Sequence, residues 1–208
     1  MRSLFHFPHG AHAGNASPGA GEPGSVELQV LPMHRRHLRG VMAIERRIFP
    51  TPWSEMLYLS EMSQPSTRAY YVACVGSKVV GYGGMMDIVG EAHVTNIGVA
   101  PEWQRQGVAR RLLLQLAREA RRRHDEHMTL EVRVSNLGAQ ALYHEFGFVP
   151  AGIRKNYYSE VQEDGLVMWA NDIGTDAYAE RLEGIESRLR PVEAPGRPPW
   201  VAPGEPEK

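Results

Sequence analysis

The chain has 208 residues, enough for one domain with a single core, and a second full domain is not expected. Its formal charge of -1 at pH 7 argues against a nucleic-acid or membrane partner. One cysteine, Cys74, excludes an internal disulfide framework, fits a reducing compartment and is expected to be structural, since its neighbours form an apolar strand pattern. The first residues lack the apolar core of a secretory signal, so we expect a cytoplasmic protein.

Both ends of the chain differ in composition from its middle. Residues 1–25 are rich in Gly, Ala, Pro and His without periodic apolar positions, which predicts a disordered arm. The evenly spaced His6, His9 and His12 have no carboxylate or cysteine beside them, so no metal site is predicted. Residues 191–208 are proline-rich and are predicted to form a disordered tail.

The first half of the middle region alternates between strand and helix patterns. Ser54, just before an apolar-periodic run that stops ahead of Pro65, is a good helix N-cap. Gly76 and Ser77 separate two apolar runs and predict a hairpin turn. The predicted elements are a strand at 26–32, a helix at 33–49, a helix within 50–63, and strands at 69–75, 78–89 and 91–99 that form a meander.

The second half adds helices between further strands. Predicted there are a helix from about Arg105 to Arg123, a strand at 128–134, a helix at 136–146 ended by Gly147, and strands at 148–158 and 165–171. Residues 26–171 are therefore predicted to form one α/β domain, whose mixed, mostly antiparallel sheet is flanked by helices on both faces. Residues 172–190 form a separate amphipathic helix, which could dock on the domain or bind a partner.

The stretch "RQGVAR" at 105–110 has the composition of an anion site. Gly107 would let the backbone approach a ligand, and Ala109 is nearly as small. Backbone N–H groups at a helix start, flanked by Arg105 and Arg110, can hold a pyrophosphate. The alternative is that Gly107 only begins a packed helix whose arginines lie in water.

Four ordered segments carry a family resemblance. "NIGVAPEWQRQGVARRLL" resembles the acyl-CoA-binding segment of the GNAT acetyltransferase superfamily, with Gln104, Gly107 and Ala109 at its characteristic positions. Together with "FPTPWSE", "LEVRVSNLGAQALYHEFGF" and "IRKNYY", it resembles the RimI-type members, which acetylate the N-terminal alanine of a ribosomal small-subunit protein. The likeness covers about residues 26–171.

The resemblance implies the GNAT fold and acetyl-CoA as donor, without a metal. It also implies that the strand before the phosphate loop diverges from the strand at 128–134 and offers a backbone N–H to the thioester carbonyl. The donor-binding residues that it implies are Ile97, Gly98, Val99, Arg105, Gln106, Gly107, Val108, Ala109, Arg110 and Asn136.

Two side chains are candidates for proton transfer. Strand alternation puts Glu131 on the face opposite the apolar residues, and by resemblance it is the general base. Tyr143, twelve residues later, resembles the family's proton donor, since a phenol stays protonated at neutral pH. The alternatives are a solvated Glu131 on an exposed face and a Tyr143 that packs the core.

The acceptor is predicted to be a protein N-terminus, by resemblance that of a ribosomal protein. An α-amine of pKa about 8 is far more often neutral at pH 7 than a lysine of pKa about 10.4, which suits a single carboxylate base. Tyr157 and Tyr158 match the substrate-side segment of RimI-like proteins, or else pack between the closing strands. Lysine or small-amine acetylation, and a non-catalytic acyl-CoA-binding scaffold, remain alternatives, and the oligomeric state is open.

Overall fold

The computed structural model describes residues 25–195, so the predicted arm before Ser25 and the tail beyond Pro195 lie outside the described residues. The strands are β1 (Ser25–Val26), β2 (Leu28–Pro32), β3 (Arg68–Val75), β4 (Lys78–Ile88), β5 (Glu91–Val99), β6 (His127–Arg133), β7 (Val149–Tyr158), β8 (Glu163–Ala170) and β9 (Val192–Glu193). The α-helices are α1 (Leu38–Ile48), α2 (Glu55–Met62), α3 (Val108–Arg122), α4 (Leu137–Glu145) and α5 (Asp176–Ser187).

Seven strands form one sheet in the order β2-β3-β4-β5-β6-β8-β7. All neighbours are antiparallel except β5 and β6, which pair in parallel at Glu91–His127, Ala92–Met128 and His93–Thr129. Beyond these pairs the two strands separate. The predicted mixed, mostly antiparallel sheet and the predicted divergence of the two central strands are both observed.

Neighbouring residues of β4 show that α1 and α3 cover opposite faces of the sheet. A Cβ added at Gly81 would meet Val108 and Leu112 of α3. The next side chain, Tyr82, instead donates a hydrogen bond to Glu45 of α1. Because successive strand residues point to opposite faces, the sheet is sandwiched between these helices, as predicted.

The helix ends follow from local chemistry. The Ser54 hydroxyl accepts a hydrogen bond from the Leu57 N–H at 3.1 Å, as its predicted N-cap role requires. Gly147 adopts φ 84° just after α4, in the left-handed region that favours glycine. The helix predicted from about Arg105 begins later, at Val108, because Arg105 and Gly107 both have positive φ, which a helix cannot contain.

The C-terminal helix docks on the domain. Tyr178, Leu182 and Ile185 of α5 are buried in the same core cluster as the inner face of α3. Arg118 of α3 also donates to Glu186 of α5 at 2.8 Å. Of the two possibilities left open by the sequence, the structure shows docking.

The segment after α5 is more ordered than the sequence indicated. Val192 and Glu193 pair with Val26 and Ser25 as a two-stranded antiparallel ribbon, and Val192 is 2 % exposed. The predictions that the arm extends to residue 25 and that the disordered tail begins at Pro191 are therefore wrong by a few residues. The reason is that two two-residue segments far apart in sequence, each with one valine, pair with each other. No helix within residues 25–195 is long and apolar enough to cross a membrane.

Candidate active site

The divergence of β5 from β6 opens a cleft in the middle of the sheet, with a volume of about 410 Å³. In β5 the register shifts between the pairs Gly84–Asn96 and Met85–Val94, leaving Thr95 as an extra bulge residue. Beyond His93, β5 has a strand partner only on its β4 side among the described residues. The free backbone edge of β5 therefore faces the cleft, as the sequence predicted. Of the predicted site residues, the cleft is lined by Ile97, Glu131, Asn136, Tyr143, Tyr157 and Tyr158.

The Glu131 carboxylate lies in the cleft wall with its side chain only 4 % exposed. Arg154 Nη1 lies 2.9 Å from Oε1, and His93 Nε2 lies 3.1 Å from Oε2. Burial acts to raise the pKa of Glu131, but the hydrogen bond and charge of His93 and the charge of Arg154 outweigh it and hold that pKa below its usual value. Glu131 is therefore ionised at neutral pH.

Tyr143 reaches the cleft from α4. Its ring packs on Phe148 with the ring centroids 5.9 Å apart, and burial raises the pKa of its phenol to about 12. Its hydroxyl forms no hydrogen bond with another residue in the range 25–195. The phenol is therefore protonated at neutral pH. The contact with Phe148 orients the ring, and the hydroxyl proton can be donated to a ligand. The core packing of Tyr143, which the sequence posed as the alternative to a site role, thus leaves the side chain in the lining of the cleft.

Tyr157 and Tyr158 form another wall at the end of β7. Their rings meet edge to face with centroids 5.1 Å apart. The Tyr158 hydroxyl donates to the backbone carbonyl of Glu131 at 3.2 Å, while the Tyr157 hydroxyl is 3.5 Å from the Glu131 carboxylate. Tyr158 thus holds the backbone of the strand that carries Glu131, whereas Tyr157 contacts the carboxylate itself and remains 44 % exposed.

Residues 104–107, here called the donor loop, precede α3. Gln104 donates to the carbonyl of Val99 at 3.2 Å, which ties the donor loop to the end of β5. Gly107 is the N-cap of α3 at φ 77°. The neighbouring Arg110 forms a two-pronged pair with Glu145 of α4, at 2.7 and 2.8 Å.

Several residues predicted to bind the donor have a clear packing role as well. Val99 and Val108 are 8 % and 1 % exposed, so only their backbones can reach a ligand. Gly98 is opposite Tyr82, and a Cβ there would come within 2.5 Å of the tyrosine ring. Asn136 caps α4 by accepting from the Ala139 N–H at 3.1 Å. Ala109 is half-buried in the first turn of α3.

Sequence reasoning missed three side chains of the site. His93 and Arg154 both contact the Glu131 carboxylate, and Glu45, 1 % exposed, also lines the cleft. The Glu45 carboxylate accepts hydrogen bonds from the hydroxyls of Tyr58 and Tyr82. The sequence signal for Glu45 was its position on the apolar stripe of α1, where a charge needs buried partners.

Residues 38–148 match the model of the acetyltransferase (GNAT) family. The chain belongs to this family. It is 37 % identical over 127 residues to the ribosomal protein bS18-alanine N-acetyltransferase of Escherichia coli strain K12, an alignment that covers 60 % of this chain and 84 % of the relative.

Solved structures agree with this family assignment. The crystal structure of the E. coli ribosomal-protein-S18-alanine N-acetyltransferase matches with a TM-score of 0.64 and 32 % identity, over 70 % of this chain and 94 % of that one. PaiA N-acetyltransferase from Thermoplasma acidophilum, solved in complex with coenzyme A, shares the GNAT fold at 14 % identity, with a TM-score of 0.60 over 70 % and 99 % of the two chains. The predicted GNAT fold and the resemblance to RimI-type enzymes are confirmed, and the protein is an N-acetyltransferase.

Proposed function

We propose that this GNAT protein transfers the acetyl group of acetyl-CoA to the α-amine of a protein N-terminus, with the N-terminal alanine of a ribosomal small-subunit protein as its substrate. The observation that carries the proposal is the cleft between β5 and β6, which an ionised carboxylate and a protonated phenol both line. The relative named for bS18-alanine acetylation supports the choice of acceptor. A ribosomal protein as substrate also implies that the enzyme acts in the cytoplasm.

The described residues fit acetyl-CoA. In this proposal the donor loop and the first turn of α3 hold the diphosphate through Arg105, Gln106 and the backbone of residues 107–110. The free edge of β5 at Ile97–Val99 takes the extended arm of the donor as a strand-like partner, and Asn136 contacts it from α4. When bound, the donor supplies an acetyl thioester.

Glu131 acts as the general base. The amine nitrogen forms a bond to the acetyl carbon, and Glu131 takes the proton that the nitrogen then releases. A backbone N–H of β5 stabilises the negative charge that grows on the carbonyl oxygen. His93 and Arg154 keep the carboxylate oriented and ionised.

Tyr143 acts as the general acid. As the carbon–sulfur bond breaks, the Tyr143 hydroxyl donates its proton to the sulfur, so that the departing group leaves as a thiol. A thiol pKa of about 8.5 makes this transfer useful at neutral pH. Tyr157 and Tyr158 line the path of the incoming peptide, and their hydroxyl oxygens, whose protons are donated to Glu131, can accept hydrogen bonds from its backbone N–H groups.

The test uses the purified chain, acetyl-CoA and peptides that differ at one feature. One peptide begins with alanine, a second has the same sequence with a blocked N-terminus and an internal lysine, and a third begins with a bulky residue. Free thiol is followed over time, and mass spectrometry locates the acetyl group. We expect thiol release and α-acetylation with the first peptide only.

Other outcomes would support the competing functions. Acetylation of the lysine in the blocked peptide would favour a lysine acetyltransferase. Binding of acetyl-CoA without turnover on any amine would favour a scaffold protein. A direct comparison with intact E. coli bS18 protein as acceptor then tests the proposed substrate.

A further inference from the structure

A second cavity, of about 490 Å³, lies between the start of α3 and the segment that follows α5. Residues 188–193 are here called the C-terminal segment. One wall consists of Arg105, Gln106, Gly107, Arg110 and Arg111, and the other consists of all residues of the C-terminal segment except Val192. The family model ends at residue 148, so the second wall lies outside the matched part of the chain. We call this space the basic cavity because five arginines line it.

The C-terminal segment is fixed in place by specific bonds. Arg111 Nη2 donates to the Arg190 carbonyl at 2.6 Å, and the Glu193 N–H donates to Gln106 Oε1 at 2.9 Å. The ribbon of β1 and β9 holds the segment further on, at Val192. Its contacts with the donor loop therefore hold one wall of the basic cavity against the other.

The charge of the basic cavity is not balanced by its own residues. Arg110 pairs with Glu145 of α4. The residues that line the basic cavity include five arginines but one carboxylate, that of Glu193. Arg105, Arg111 and Arg190 form no ion pair with any residue between 25 and 195. Arg111 is half-buried, and burial together with the nearby Arg110 lowers its pKa, as expected where positive charge is uncompensated. An anion of more than one charge fits this environment.

Coenzyme A has a group that matches the second wall. Besides its diphosphate, which the proposed function assigns to the donor loop, it carries a ribose 3′-phosphate with about two negative charges near neutral pH. Arginine guanidinium groups bind such phosphates through charge-assisted hydrogen bonds. We propose that Arg188 and Arg190 of the C-terminal segment bind the 3′-phosphate of the donor, so that this segment is a part of the donor site. This inference rests on the proposed use of acetyl-CoA.

The test is calorimetric titration of the full chain with coenzyme A and with 3′-dephospho-coenzyme A, which needs no acceptor and no turnover. We expect the wild type to bind coenzyme A about tenfold more tightly than the dephospho form, the effect of one or two charge-assisted contacts. In Arg188→Gln/Arg190→Gln that preference should fall to about one, with dephospho affinity unchanged. The control Arg39→Gln/Arg46→Gln, two exposed arginines of α1, removes the same charge elsewhere and should retain the preference.

Each result separates this inference from the proposed function. Equal affinities in the wild type, or a preference that persists in Arg188→Gln/Arg190→Gln, would overturn the role of the C-terminal segment while leaving acetyl-CoA as donor. Failure to bind either compound would overturn both. A preference that depends on the two arginines, in a protein that acetylates none of the peptides, would support the inference and reject the proposed acceptor. Thermal melts of each variant verify that it is folded, and single Arg188→Gln and Arg190→Gln variants, each expected to lower the preference, replace the double variant if it is not.

Discussion

At the scale of single residues, the environment of Glu131 limits how it can act as a base. Its pKa is held below the usual value, whereas a protein α-ammonium has a pKa of about 8. Because the carboxyl is the much stronger acid of the two, direct transfer of a proton from the resting ammonium to Glu131 is strongly unfavourable. A nitrogen that is already bonding to the acetyl carbon is a much stronger acid. Glu131 is therefore suited to accept the proton during attack, from an amine that arrives neutral.

The Glu131→Gln variant tests this role. We expect kcat to fall by about 10²–10³-fold, the usual contribution of a general base, with acetyl-CoA affinity unchanged. Because Glu131 is ionised at every pH from 6 to 9, the ratio of the wild-type rate to the variant rate should be constant over this range. The rates are measured from the free thiol that is released. Glu126→Gln, an exposed carboxylate just before the other end of β6, is the control. A ratio that shrinks toward one at pH 6 would contradict the lowered pKa.

The Tyr143→Phe variant tests the proton donor. The pKa of about 12 keeps the phenol protonated, so wild-type activity should show no decline from its ionisation up to about pH 10. We expect Tyr143→Phe to lower kcat by about 10²-fold with little change in KM, since only the departing sulfur uses that proton. Tyr178→Phe removes a buried hydroxyl that has no partner in the described residues and should leave the rate unchanged. Equal rates for wild type and Tyr143→Phe would exclude the general-acid role.

At the scale of elements, the donor loop depends on backbone conformations that few residues adopt. Gly107 has φ 77°, and a Cβ there would lie 3.1 Å from the Arg111 guanidinium. Gly76 has a similar φ of 56° in the β3–β4 turn, but a Cβ there would meet no atom within 4 Å. The two glycines therefore share the conformational cost of substitution and differ in their surroundings.

Alanine at each of these glycines separates strain from ligand binding. Both Gly107→Ala and Gly76→Ala should lower the free energy of unfolding by about 1 kcal/mol, measured by urea denaturation. Only Gly107→Ala should weaken coenzyme A binding, by about tenfold or more in calorimetry, because its Cβ projects from the donor loop. Similar affinities for the two variants would mean that the diphosphate is bound elsewhere.

Buried apolar side chains hold α5 on the domain. Leu182 is 2 % exposed in the core cluster that also contains the inner face of α3, so Leu182→Ala should lower the free energy of unfolding by about 2–4 kcal/mol. Glu183→Ala, its exposed neighbour on the same helix, should change it by less than about 0.5 kcal/mol. Denaturant curves followed by circular dichroism measure both. A loss below 1 kcal/mol for Leu182→Ala would show that α5 leaves the domain readily.

Features that depend on neighbouring residues could be predicted from the sequence, whereas those that depend on register could not. Ser54 and Gly147 predict helix ends because a capping hydrogen bond and a left-handed glycine each involve residues within one helical turn. Glu131 and Tyr143 became candidates through local motifs of the family, and both line the cleft. The contact of His93 with Glu131 depends on the parallel register of β5 and β6, which a helix crossover of variable length leaves unspecified. For the same reason the pairing of β1 with β9, from opposite ends of the chain, had no sequence signal.

In the whole molecule, β5 and β6 separate to open the cleft. The sheet therefore lacks some hydrogen bonds between its two central strands. The sheet compensates on both sides, where β4 pairs with β5 along its length and β8 pairs with β6 from Met128 to Arg133. One core cluster crosses this division, since Met85 of β4, Ala92 of β5 and Leu130 of β6 belong to it together with residues of α3 and α5, whereas the other cluster joins α1 and α2 to β3, β4 and β5. The cleft is thus built into a rigid frame rather than into a mobile loop.

The stability of the molecule should depend on the buried carboxyl of Asp125, which lies between α3 and β6. Asp125 is 1 % exposed, and neither carboxyl oxygen has a hydrogen-bond partner within residues 25–195. Burial, followed by the negative charge of Asp87, raises its pKa to about 6, against 3.8 for the free group. A raised carboxyl pKa means that the folded state binds more protons than the unfolded state between about pH 4 and 6. The Asp125 carboxyl therefore lowers the free energy of unfolding by an increasing amount as the pH rises through that window. Above the window its destabilising effect is complete.

Asp125→Asn should remove this dependence. We expect a higher Tm than wild type at pH 7.5, and a difference that shrinks as the pH is lowered from 6 toward 4, because the wild-type carboxyl then becomes neutral as well. Differential scanning calorimetry at half-unit intervals measures the difference, and Glu180→Gln, an exposed carboxylate on α5, gives the background effect of losing one charge. A Tm difference that is constant with pH, or that grows toward pH 4, would show that Asp125 is already ionised and paired in the folded protein.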